Sequence, residues 1–264
     1  MSLTALFLGY GRMGASLGEA WIEADLVQRI DAVDPHRAQD VKARVYRSAA
    51  ELPDTIYDLV IVAVKPAMAR EALAAVSIAR LRNASIISVM AGVSIATLEQ
   101  ALPIACPVVR SMPNTPVMVH QGCVGLFGGI SVTSPLRDKI SQLYNAVGKS
   151  YWVETEEQLH AITALSGSGP AYYHLFSEAL ADAGERLGLP SELAKQLAAQ
   201  TALGAATLQC GDGANFSSLR QEVTSPNGTT HAAIEVFEKD SALRCLVTEA
   251  VVKAHQRSIE LSQG

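Results

Sequence analysis

The sequence is poor in charge and in aromatic side chains. Charged residues make up 18% of 264 positions and aromatics 5%, while hydrophobic residues reach 49%, far from the polar make-up of a disordered chain. There is no basic excess. Lys and Arg number 21 against 26 Asp and Glu, a net charge of −5, which argues against a protein that grips phosphate backbones, so nucleic acid is not an expected partner. Cysteine is scarce: Cys106, Cys123, Cys210 and Cys245 form no C-x-x-C pair and no metal-like cluster. Reduced thiols in a cytoplasmic protein, with no metal, are therefore expected. A long apolar run is missing too. The longest stretch without Asp, Glu, Lys or Arg, Ser111 to Leu136, holds Pro113, Pro116, His120, Gln121 and four glycines, which excludes a membrane helix of ~20 apolar residues. Met1 to Leu8 lacks a basic leader, so no secretory signal is expected.

What is present has two textures. The first half alternates short apolar runs with helical stretches. The runs are Ala5 to Leu8, Ile30 to Val33, Asp58 to Val64, Ser85 to Val89 and Pro107 to Val109, with helices expected over Ala67 to Ile78 and Ile95 to Leu102. Nearly continuous apolar strands alternating with helices imply a parallel sheet covered on both faces. Val124 to Phe127 and Tyr151 to Val153 read as further strands flanking a helix from Ser134 to Val147. After Val153 strand-like runs give way to helices over Pro170 to Leu187, Ser191 to Leu208, Thr229 to Phe237 and Ala242 to Leu261. The expected fold is thus α/β: a Rossmann-type dinucleotide-binding domain over residues 1–153, then an all-helical domain over 154–264. The helix from Ser191 is apolar on nearly all sides, the pattern of a helix buried all round. Some 110 residues are few to enclose it, so a second subunit is expected to supply cover.

The candidate chemistry lies at strand ends. Gly9-Tyr10-Gly11-Arg12-Met13-Gly14 follows Leu8 at the end of the first run and opens the first helix. Such glycines allow a tight turn and close approach to a pyrophosphate, and the helix start supplies free N–H groups. Asp34 ends the second run, twenty residues beyond Gly14, where a carboxylate accepts hydrogen bonds from ribose hydroxyls and favours NADH over NADPH. His36 and Arg37, just beyond, could instead offer charge to a 2′-phosphate, so the choice stays open with a slight lean to NADH. Ligands bind at the carboxyl ends of parallel strands, which brings Ala63, Val64, Lys65 and Pro66 to the cofactor cleft. Met90-Ala91-Gly92 ends the next strand, where the small Ala91 leaves room for a flat ring. Met112-Pro113-Asn114-Thr115-Pro116 forms a proline-flanked turn that brings Asn114 beside the nicotinamide position.

In the helical half, Leu165-Ser-Gly-Ser-Gly-Pro170 precedes a long helix, with Pro170 suited to its first turn. Thr224-Ser-Pro-Asn-Gly-Thr-Thr230 also precedes a helix, and hydroxyls gathered there with free N–H groups would seat a carboxylate. An ordinary capping turn is the alternative.

Taken together, these patches resemble the pyrroline-5-carboxylate reductase family. The resemblance rests on the glycine motif, A-V-K-P at Ala63 to Pro66, M-P-N-T-P at Met112 to Pro116, L-S-G-S-G-P-A-Y at Leu165 to Tyr172, E-A-L-A-D-A-G at Glu178 to Gly184 and the turn at Thr224 to Thr230. In that turn Asn227 stands where the family usually has glycine. The resemblance implies reduction of 1-pyrroline-5-carboxylate to L-proline by NADPH or NADH, and a helical domain that interlocks with its twin in a homodimer, which often assembles into a ring. It also implies a substrate carboxylate seat at Ser225, Asn227, Gly228, Thr229 and Thr230, with the Thr230 hydroxyl near the ring nitrogen. A β-hydroxyacid dehydrogenase would place a catalytic lysine on the helix after the glycine patch, but no lysine lies between Lys149 and Lys195. A protein that senses a dinucleotide without turnover is the remaining rival.

Overall fold

The computed structural model describes residues 3–37 and 42–263. Eight strands form one sheet: β1 (Leu3–Leu8), β2 (Val27–Val33), β3 (Arg44–Tyr46), β4 (Leu59–Val62), β5 (Ser85–Ser88), β6 (Val108–Met112), β7 (Gly122–Gly128) and β8 (Gly148–Trp152). Their order is β3-β2-β1-β4-β5-β6-β7-β8. The first six run parallel, with the order of a dinucleotide-binding sheet that reverses direction of winding between β1 and β4. That reversal opens a crevice at the carboxyl ends of β1 and β4. β7 turns back antiparallel to β6, and β8 runs parallel to β7.

The helices over the sheet are α1 (Arg12–Glu23), α2 (Ala69–Ala74), α3 (Ile78–Leu81), α4 (Ile95–Ala101), α5 (Ser134–Asn145) and α6 (Gln158–Ile162). Strand side chains alternate between faces, and both faces are apolar. Phe7, Ile30, Ile61, Ile87 and Val109 meet Leu17 and Trp21 of α1 and Leu143 and Tyr144 of α5. Leu6, Leu8, Val60, Val62, Ile86 and Val108 meet Leu73, Leu81 and Leu98 on the other side. The expected helix over Ala67 to Ile78 is broken: a 3-10 turn at Pro66–Met68 leads into α2, and Ser77, extended at φ −64° and ψ 147°, restarts the chain as α3.

The chain divides into two compact units, Met1–Ser168 with Ala254–Gly264, and Gly169–Lys253. Residues 154–168 and 254–264 thus group with the sheet, whereas the sequence placed a boundary at 153/154. The second unit holds α7 (Gly169–Arg186), α8 (Ser191–Gln209), α9 (Phe216–Glu222), α10 (Thr229–Glu238) and most of α11 (Ala242–Gln263). Gly188, at φ +96°, ends α7, with the Leu189 N–H reaching back to the Gly184 carbonyl in the Schellman pattern. Ala181, Ala194 and Ala198 form the only buried apolar cluster there among the described residues. The expectation that α8 is buried all round is not met within one chain: Leu193, Leu197, Leu203 and Leu208 are exposed. No helix among the described residues is long and apolar enough to cross a membrane.

Candidate active site

The glycine turn is built against two strands. The Gly9 N–H donates to the Val33 carbonyl at 2.9 Å, and the Ala63 N–H to the Leu8 carbonyl at 2.8 Å. Gly9 takes φ +85°, and a Cβ there would stand 2.7 Å from the Ala63 oxygen and 3.0 Å from the Val64 nitrogen. Only glycine fits both the conformation and the space. Gly11 is different. It precedes α1 with extended backbone and no side-chain cap, and a Cβ there would meet nothing within 4 Å. Gly14 closes the motif by packing, its Cβ position being 3.0 Å from the Gly9 oxygen and 3.4 Å from the Phe7 ring. The first turn of α1, from Arg12 and Met13, carries no acidic residue, so its unpaired N–H groups and positive dipole end are left for an anion.

Asp34 follows β2 directly. One carboxylate oxygen accepts the Tyr10 N–H at 2.9 Å and the other accepts the His36 N–H at 3.0 Å. Arg37 donates from Nη1 to the Tyr10 carbonyl at 2.7 Å and lies 4.9 Å above the Tyr10 ring. Asp34 and Arg37 therefore hold the two ends of the Tyr10 residue and brace the glycine turn, a function that the sequence did not show. The His36 side chain is exposed.

At the neighbouring strand ends, Ala63 and Val64 back onto Gly9, while Lys65 and Pro66 are exposed on the rim. Beyond β5, Ala91 is exposed and Gly92, at φ +77°, approaches the Leu261 carbonyl. Beyond β6, Asn114 is buried, and its amide bonds the Ser166 carbonyl and the Cys123 N–H. The structure thus brings Leu8, Gly9, Gly11, Arg12, Met13, Gly14, Asp34, Ala63 and Val64 together around one crevice. Asn114 has an additional structural occupation, and nothing in its local sequence announced the partners.

In the second unit, Thr224 donates its hydroxyl to the Arg220 carbonyl at 2.6 Å. The Gly228 N–H then bonds the Ser225 carbonyl at 3.0 Å, with Pro226 at the second position and Asn227 at the third, φ +60°. Proline followed by a left-handed residue is the pattern of a type II turn, and asparagine tolerates that conformation better than most residues. Gly228 then opens α10 without a side-chain cap, and no acidic residue lies in the first turn. A Cβ on Gly228 would stand 2.5 Å from the Ser225 hydroxyl, so Ser225 and the N–H groups of Thr229, Thr230 and His231 gather at one helix start. That set of donors suits a carboxylate.

The fold, with its paired motifs, has close relatives. A family model described as pyrroline-5-carboxylate reductase dimerisation matches residues 156–261, and one described as NADP oxidoreductase, coenzyme F420-dependent, matches residues 5–92. The pyrroline-5-carboxylate reductase of Pseudomonas aeruginosa is 40% identical over 97% of this chain and 96% of its own length. That of Mycobacterium tuberculosis is 38% identical over 94% of both. Among solved structures, a pyrroline-5-carboxylate reductase from Coxiella burnetii superposes with a TM-score of 0.88 at 34% identity, covering 99% of each chain. The Plasmodium falciparum pyrroline carboxylate reductase, solved with NADP bound, gives 0.85 at 29% identity, covering 98% of each. With identity of this order running through both the glycine-turn domain and the helices that carry the Thr224 to Thr230 turn, the chain belongs to the pyrroline-5-carboxylate reductase family.

Proposed function

We propose that this protein reduces 1-pyrroline-5-carboxylate to L-proline with a nicotinamide dinucleotide, the last step of proline biosynthesis. The observation that carries the reading is the identity to pyrroline-5-carboxylate reductases along almost the entire chain. The dinucleotide fits the residues present. Gly11 is open on its Cα, and the free N–H groups of Arg12, Met13 and Gly14 suit a pyrophosphate. Asp34, His36 and Arg37 would lie along the adenosine ribose, with Ala63, Val64, Lys65, Pro66 and Ala91 along the rest of the cleft.

The bound cofactor supplies the hydride. The protein's own task is to hold and orient the imine. Ser225, Asn227, Gly228 and Thr229 hold the substrate carboxylate through hydroxyls and backbone N–H groups, and Thr230 directs its hydroxyl to the imine nitrogen. NADH and NADPH both remain candidates. The Asp34 carboxylate leans towards NADH through repulsion of a 2′-phosphate, whereas the Plasmodium relative was solved with NADP. The working form is a cytoplasmic homodimer that assembles into a larger ring. Supporting this are the dimerisation family match, the exposed leucines of α8 and four free cysteines. Sedimentation of a stable monomer would remove the dimer, and a dimer alone would remove the ring.

The test is the loss of absorbance at 340 nm with 1-pyrroline-5-carboxylate and either cofactor. Turnover is expected, with Thr230→Ala lowering kcat/KM by about 10²-fold, the range of a positioned proton-transfer group. Folded protein that binds cofactor but turns over neither would overturn the reading and leave a dinucleotide sensor in its place. Full activity in Thr230→Ala would remove the threonine from the mechanism.

A further inference from the structure

Asn114 of the Met112–Pro116 turn and Ser166 of the Leu165–Gly167 stretch are 52 positions apart in the chain, yet one side chain joins the two segments. Asn114 donates from Nδ2 to the Ser166 carbonyl at 3.0 Å, and its Oδ1 accepts the Cys123 N–H at 2.9 Å. The partners themselves fix the orientation of the amide, because a carbonyl needs a donor and an N–H needs an acceptor. The residue is 7% exposed, so these bonds form away from competing water.

The need for a donor at Ser166 follows from the chain that surrounds it. Thr163–Gly167 is π-helical, with the Ser168 N–H bonded to the Thr163 carbonyl at 2.8 Å. Such single turns interrupt the regular ladder and gather at functional sites. In a regular α-helix the Ser166 carbonyl would accept from residue 170, which here is a proline without an N–H. Asn114 supplies a donor at that carbonyl from outside the helix. The same two segments also touch at Met112, whose Cε lies 3.1 Å from the position of a Cβ on Gly167. Asn114, Cys123 and Ser166 all belong to the sheet-containing unit.

We infer that Asn114 is a positioning residue of the reductase: its carboxamide clamps the carboxyl end of β6, the start of β7 and the π-turn ahead of α7 into one wall at the nicotinamide end of the crevice. The inference rests on the reductase reading. It changes the role of Asn114 from contact with the cofactor to control of the two backbone segments beside it. Displacement of groups near a reacting centre by about 1 Å costs on the order of 10²-fold in rate. Loss of the clamp therefore acts on the chemical step and leaves the distant pyrophosphate seat alone.

The experiment compares Asn114→Ala with Asn114→Asp in the full-length protein. Aspartate keeps an acceptor for the Cys123 N–H and loses the donor to Ser166, and it preserves shape should the alanine variant fold poorly. Both variants are expected to lose kcat by about 10- to 100-fold, with the Kd of NADPH within about threefold of the original. Amide hydrogen exchange should quicken over residues 163–169 and stay unchanged in the glycine turn. A rise in the NADPH Kd that accounts for the lost kcat/KM would make Asn114 a cofactor contact and overturn the proposal. Lowered stability with unchanged kcat would overturn it as well. The two readings fail separately: parent protein without turnover sinks the reductase assignment, whereas unchanged exchange at 163–169 in Asn114→Ala sinks the clamp alone.

Discussion

Replacing Gly9 with alanine separates two duties of the glycine motif. At φ +85° an L-residue pays no simple steric toll that relaxation can remove: the left-handed backbone costs roughly 1–2 kcal/mol. The added methyl also stands 2.7 Å from the Ala63 oxygen and 2.8 Å from its carbon. Both are backbone atoms of the segment leaving β4, and overpacking of this kind costs about 1–3 kcal/mol. Against this, alanine lowers the entropy of the unfolded chain by about 0.4–1 kcal/mol. The net expectation is a loss of about 1–4.5 kcal/mol, a sizeable part of the 5–15 kcal/mol typical of whole domains. Urea unfolding followed by tryptophan fluorescence reads it cleanly, because both tryptophans, Trp21 and Trp152, lie in the sheet-containing unit. With a slope near 2 kcal/mol per molar urea, the midpoint should fall by about 0.5–2 M. Gly11→Ala is the control. Its Cβ meets nothing within 4 Å, so the midpoint should hold while dinucleotide affinity falls, as the methyl would occupy the approach proposed for the pyrophosphate. A midpoint shift below about 0.3 M in Gly9→Ala, or intact affinity in Gly11→Ala, would refute the division of roles.

Two further outcomes follow from the polar groups. Like charges 4 Å apart repel by about 4 kcal/mol at an effective dielectric near 20, and a third of that is about tenfold in a rate ratio. Asp34→Ser should therefore raise the ratio of kcat/KM for NADPH over NADH by about tenfold or more; an unmoved ratio would take the ribose discrimination away from Asp34. His160 has its pKa lowered from 6.5, first by desolvation and then by Arg110 and His255, with Glu157 and Glu156 opposing. Because the folded state binds this proton less readily than the unfolded one, stability rises with pH across the interval between the two pKa values. The contribution is present above 6.5 and lost as pH falls below it. His160→Gln should flatten the acid side of the melting profile between pH 7 and 5, and an unchanged slope would count against the histidine.

The strands of the nucleotide-binding sheet were legible because a parallel strand covered on both faces must be apolar at nearly every position. Val60, Ile61 and Val62 are all buried, two against one layer of helices and one against the other. β3 was not legible. Arg44–Tyr46 is a three-residue edge strand with only Val45 buried, too short to show alternation. The reversal at β7 could have been inferred. Only residues 113–121 separate β6 from β7, and a parallel return needs a crossover of a dozen residues or more. α9 carried a signal as well: Asn215 accepts the Ser218 N–H as a helix cap, and its short apolar content concealed it.

The site shows a different limit. Residue type and spacing point to the glycine turn and the Thr224 to Thr230 donors because each is a local device whose chemistry is contained in consecutive residues. Asn114 and Asp34 depend on partners 52 and 24 positions away, and no local pattern encodes such distances. The helical half fails for a related reason. Its pattern records which surfaces avoid water without recording whose surface covers them. Leu193, Leu197, Leu203 and Leu208 keep 42–63% of their area exposed in one chain. Full burial of a leucine is worth about 1.5–3 kcal/mol, so these four alone leave about 3–6 kcal/mol available to association. The all-round apolar pattern of α8 fits cover from a second chain, in line with the match to a dimerisation family over residues 156–261.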